Sequence, residues 1–163
     1  MLMAPQNESD ASPREAGLTR GSPHLATLSM EECWSLLRGH SLGRLAIVVG
    51  GWPRIFPVNY AADEEAVVFR TEAGAKLQHG PGSAACFQID GYDPRTELGW
   101  SVMAVGILRD ITGGDDARSR RLRALPVQPL APGTRSHWLA LAPQEVSGRS
   151  FKGSWIMPGY YLG

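Results

Sequence analysis

Cysteine is nearly absent: Cys33 and Cys86 are the only two in 163 residues. Two thiols build neither a disulfide framework nor a zinc site. Histidine is sparse as well. His40, His79 and His137 lie far apart and share no metal-ligand spacing. Net charge is missing, because 16 basic and 16 acidic side chains cancel. No basic field therefore argues for nucleic acid as a partner. No apolar run approaches the length that spans a bilayer, which argues against a membrane protein. The opening "MLMAPQNESDASPREAGLTRGSP" lacks a basic-then-apolar order and does not read as a signal peptide. These absences lead to the expectation of a cytoplasmic, one-domain protein long enough to bury a core. No Ser-His-Asp or Cys-His arrangement can be assembled, so no protein nucleophile is assigned.

Residues 1–24 are rich in Pro, Ser, Glu and Gly and read as a flexible tail, with the domain occupying 25–163. Ser29 followed by Glu32 is a capping box, and Leu28 before it is placed to staple against Cys33. The spacing predicts a helix from Met30 to about Arg38, stopped by Gly39. Strand patterns follow: "RLAIVV", a "GGWP" turn, "RIFPVNYAA", "AVVFRT", "AACFQID", "GWSVMAVGILRDI" and "SHWLALAPQEVSGRSF". Pro57 must then sit at a sheet edge or a bulge. Residues Ala73 to His79 read as a helical or turn segment. "TGGDDARSRRLRAL" suits a connecting helix with Thr112 or Asp115 near its start. Six strands with short helices predict a mainly β, closed antiparallel barrel.

One cluster stands out. The apolar run Ala66 to Phe69 ends in Arg70 and Thr71, a small glycine-containing turn follows, and Lys76 comes next. Ordinary solvated charge, paired with Glu72, is one reading of it.

The order of "LLRGHSLGRLAIV", "PRIFPVNYAADEEAVVFRTEAGAKL", "AACFQIDGYDP", "GWSVMAVGILRDI" and "HWLALAPQEVSGRSF" resembles the pyridoxamine 5'-phosphate oxidase-like family, the FMN-binding split barrels. Its small bacterial members, which include nitroimidazole-reductase-like proteins, are the nearer likeness. The resemblance covers Leu28 to Phe151. It implies a six-stranded split β-barrel and a homodimer with equivalent flavin sites at the subunit interface. An isologous dimer is also the commonest oligomer. The implied activity is that of an FMN-dependent oxidoreductase acting on a small molecule, with the flavin carrying the chemistry.

That resemblance gives the cluster a second reading. A flavin phosphate calls for Arg as a planar fork, Lys as a point charge and hydroxyl donors, which Arg70, Lys76 and Thr71 offer. The resemblance carries Leu77 along with them. Pro57, Val58, Asn59 and Tyr60 are candidates to line the isoalloxazine ring, Asn59 having both donor and acceptor groups. Asn59 as a turn residue and Tyr60 as a core aromatic is the competing reading. Trp100 and Ser101 are candidates for stacking on the flavin and for donating to it, against a core role for the tryptophan. Related split barrels bind a deazaflavin or haem, and a non-catalytic flavin-binding module is a further alternative. Pyridoxamine phosphate oxidases need a second phosphate site, rich in Arg and His, near the end of the chain. "GSWIMPGYYLG" lacks it, which argues against vitamin B6 synthesis.

Overall fold

Period-two burial builds the sheet. Leu45 and Ile47 alternate with exposed Leu42, Arg44 and Val48; Phe87 and Ile89 on the next paired strand do the same. The computed structural model describes residues 24–128 and 135–152. Its strands are β1 (His24–Thr27), β2 (Leu42–Val49), β3 (Trp52–Ala62), β4 (Val67–Thr71), β5 (Ala84–Asp93), β6 (Leu98–Asp110) and β7 (His137–Lys152). Its helices are α1 (Met30–Gly39), α2 (Ala75–His79) and α3 (Ala117–Arg123). All strand pairs are antiparallel, in the order β1-β7-β4-β3-β2-β5-β6, and β6 pairs back onto β7.

The six expected strands therefore close a split barrel, and β1 is a seventh strand that the sequence reading did not anticipate. It runs along the far half of β7, from His24↔Lys152 to Thr27↔Arg149. The expected tail, apart from His24, and the "GSWIMPGYYLG" segment lie outside the described residues.

The first helix matches its signals. Glu32 N–H donates to Ser29 Oγ at 3.2 Å, and Ser29 N–H donates to Glu32 Oε2 at 2.7 Å. The two-residue β2–β3 turn is Gly50-Gly51, with φ of 60° and 81°, a backbone that glycine adopts without strain. The cap of α3 is Asp116 rather than Thr112 or Asp115: its carboxylate accepts from Ser119 N–H at 2.9 Å. β4 is apolar on both sides because both sides are covered. Val67 and Phe69 enter the barrel core, while Ala66 and Val68 pack with Leu122 of α3 and with Ile111. No helix among the described residues is long and apolar enough to cross a membrane.

The β6–β7 seam carries one irregularity. The register shifts between Val105↔Glu145 and Gly106↔Pro143, leaving Gln144 without an opposite residue. Pro143 sits at this bulge, where a missing N–H costs little. Gly106 is buried, and a Cβ on it would lie 2.1 Å from the Ala142 carbonyl oxygen.

Candidate functional site: a cationic cradle where the barrel splits

β3 and β4 pair only over Tyr60↔Phe69, Ala61↔Val68 and Ala62↔Val67. Before Tyr60, β3 pairs with β2 alone among the described residues. Pro57 thus lies on an edge, as a proline in a strand must. Beyond Phe69, β4 pairs with β7 and then turns into α2. The opening between the two strands is where the sequence cluster lands.

Arg70 is half-buried, on the rung with Trp138. Its guanidinium carbon stands 5.2 Å from the Trp138 ring centroid, and its Nε–H donates to the Arg135 carbonyl at 2.9 Å. Aromatic face and carbonyl together fix the fork's orientation. Thr71, the next residue, points inward. It is 1% exposed, and its hydroxyl donates to the Glu72 carbonyl at 3.1 Å. Lys76 Nζ lies 4.9 Å from the centre of the Phe56 ring across the opening. Leu77 packs against the main core and holds α2 in place.

Burial holds the Lys76 ammonium below the ordinary lysine range, the positive charge of Arg135 pushes the same way, and Glu72 opposes both. A half-buried lysine beside an arginine carries repulsion that Glu72 offsets only in part, and a bound anion would relieve more of it. Arg135 was not among the candidates read from sequence. It lies far from the cluster in the chain, just ahead of β7, and no local spacing marks it.

The remaining candidates divide by strand parity. Val58 and Tyr60 face the core. Tyr60 is 1% exposed, its ring meets Phe87 edge-on at 4.7 Å, and its hydroxyl donates to the Leu37 carbonyl at 2.8 Å. The competing core reading therefore describes the Tyr60 side chain. Pro57 and Asn59 take the opposite, outer face, and Asn59 Nδ2 donates to the Ser41 carbonyl at 3.3 Å. Trp100 and Ser101 are not in the cradle. Counted through β7, Arg70 shares a rung with Trp138, whereas Trp100 and Ser101 share rungs with Ser150 and Arg149, twelve and eleven residues further along that strand. Trp100 instead meets the His40 ring at 4.7 Å, and Ser101 pairs with Asp90.

Linkage fixes the pH dependence of an anion bound here. The complex keeps Lys76 protonated, whereas the free protein releases that proton at a lower pH than an ordinary lysine at 10.5. Binding takes up protons across that window, so affinity falls as pH rises through the depressed range. FMN titrations at a series of pH values check this. Lys76→Arg, which stays charged throughout, is expected to remove the alkaline fall.

The described strands define the class of protein: a mainly β, antiparallel split barrel. The chain belongs to the pyridoxamine 5'-phosphate oxidase family, whose model matches residues 29–150. An uncharacterized protein of Mycobacterium tuberculosis is 29% identical over 143 residues, covering 81% of this chain and 91% of that one. The FAD binding protein from Mycobacterium smegmatis is similar in structure, with a TM-score of 0.59 and 29% identity, over 79% of this chain and 100% of that one. A conserved protein of unknown function from Corynebacterium diphtheriae has a TM-score of 0.62 and 28% identity, over 78% and 98% of the two chains.

Proposed function

We propose that this protein is a flavin-binding oxidoreductase that holds the phosphate of FMN with Arg70, Lys76 and Arg135. The observation that carries this reading is the convergence of Arg70, oriented on Trp138, and half-buried Lys76, set over Phe56, on one opening of the barrel. A fork held on Trp138, a point charge over Phe56 and a third cation suit a dianionic phosphate. Thr71 stiffens the strand end beneath them through its bond to Glu72. The ring system would lie along the outer side of β3, by Pro57 and Asn59. A bound flavin supplies hydride and single-electron chemistry, which agrees with the absence of an assigned protein nucleophile.

FAD is the second reading, and the Mycobacterium smegmatis FAD binding protein favours it. The same cradle would then grip one end of a pyrophosphate. The absorption spectrum of the purified protein, with the released chromophore identified by mass, separates FMN, FAD, a deazaflavin and haem. A colourless protein that takes up none of them on titration would sink the proposal.

The outer barrel face supports a homodimer. Ile55, Ala46, Cys86 and Val105 form one apolar row across four paired strands, and Val48 and Met103 flank it. Ile55 is 68% and Val48 57% exposed in the single chain. A self-complementary interface would bury this patch. Sedimentation that shows only monomer at micromolar concentration would remove the dimer from the proposal.

A further inference from the structure

α3 does not lie flush on the sheet. A cavity of about 260 Å³ opens beneath it, floored by Ala66, Ala140 and Ala142 and walled by Ile111 and Leu122. Ala140 shares rungs with Val68 and Arg109, so the floor belongs to β4 and β7 and borders β6. The alanine side chains stop at Cβ, which leaves the space that larger residues would fill. Arginines pin the helix above that space. Arg121 reaches Asp63 at 3.1 Å and Glu65 at 2.8 Å in the β3–β4 turn, and Arg123 donates to the Gly114 carbonyl at 2.7 Å.

Three charged side chains meet the cavity, and their partners separate them. Ser119 spends both its N–H, at 2.9 Å, and its hydroxyl on the Asp116 carboxylate. Arg118 lies 3.6 Å from Glu65. Arg109 is exposed and makes no hydrogen bond or ion pair among the described residues. The cavity thus joins an apolar floor to one guanidinium fork with all its donors open, the arrangement that matches a carboxylate. Size narrows the ligand further. An apolar cavity of roughly 150 Å³ holds benzene, so this one has room for a single ring with a short arm.

We propose that this cavity binds a small monocarboxylate bearing one apolar ring. The ring would lie over the three alanines and against Leu122, with the carboxylate on Arg109. The cavity shares no lining residue with the cradle, with the ring position by Pro57 and Asn59, or with the Ile55 row of the dimer patch. The site therefore stands whichever flavin the cradle holds.

The test uses the full chain as purified, with its chromophore, and phenylacetate as the probe. Phenylacetamide, of the same shape without the charge, is the control. Calorimetric titration should show saturable binding of phenylacetate and at least roughly tenfold weaker binding of the amide. Arg109→Gln should weaken phenylacetate binding by about tenfold or more. Because Arg109 is exposed, this variant should keep its melting temperature. Ala142→Leu puts side-chain atoms into the cavity and should remove binding while the chromophore is retained. Lys76→Ala should leave phenylacetate affinity unchanged, which separates this site from the cradle. Absence of saturable binding, equal affinity for acid and amide, or an affinity indifferent to Arg109→Gln would overturn the proposal. So would a comparable loss in Lys76→Ala, or stoichiometric release of the chromophore by phenylacetate, because the acid would then occupy the flavin's site.

Discussion

Lys76→Ala and Arg70→Ala are each expected to weaken FMN binding by about one to two decades. A hydrogen bond to a charged group contributes roughly 1.5–3 kcal/mol, and each ~1.4 kcal/mol is tenfold in affinity. Lys76→Ala is the cleaner of the two, because Arg70 also holds the Arg135 carbonyl and stacks on Trp138. The double variant should lose less than the sum of the single losses, since both groups grip one phosphate and the survivor readjusts. Riboflavin, which lacks the phosphate, should bind weakly and respond little to either change. Titrating the apo-protein with FMN and riboflavin across these variants measures all of this. Unchanged FMN affinity in every variant would return the cluster to ordinary surface charge.

Gly106→Ala is expected to destabilise the fold by about 3 kcal/mol or more, at the top of the range for overpacked sites. The new Cβ would meet the Ala142 oxygen at 2.1 Å, the Ala142 carbonyl carbon at 2.9 Å and Pro143 Cα at 2.9 Å. All three are backbone atoms, so no side chain can swing aside. Relief would require β6 and β7 to part at the bulge that lets β7 bend. At ~2–4 °C per kcal/mol for a chain of this size, the melting temperature should drop by roughly 6–12 °C. Gly39→Ala is the matched control, because its Cβ would meet nothing within 4 Å. It should leave stability unchanged or slightly raised. Equal melting temperatures for the two variants would mean that the seam is more pliable than its geometry implies.

Strand existence was legible because one buried face repeats every second residue, and α1 because its cap chemistry is local. β1 was not legible. "HLAT" has no alternation of its own and is a strand only because β7 offers it an edge. The cap of α3, expected at Thr112 or Asp115, falls on Asp116, because all three are capping residue types. Only the position of Ser119, whose N–H and hydroxyl both bond to the Asp116 carboxylate, decides between them.

In the site, Arg70, Thr71 and Lys76 could be read together because they are close in the chain. Strand parity should have separated them further: with Phe69 facing in, Arg70 faces the split and Thr71 the interior. The same parity splits Pro57 and Asn59 from Val58 and Tyr60. Arg135 and the distance of Trp100 from the cradle depend on register between distant strands, which local pattern does not encode.

β7 touches β4 on one edge through its first half, β1 on that edge through its second half, and β6 along the other edge. It follows every other strand in the chain, and the rung His24↔Lys152 joins the two ends of the described residues. Closure therefore waits on contacts of very high sequence separation, the kind that slow folding to milliseconds or seconds. Until β7 docks, β1, β4 and β6 all present unpaired edges at once. A nascent or nicked chain lacking β7 would thus be a sticky intermediate rather than a smaller barrel, and its hazard would be association with other copies of itself.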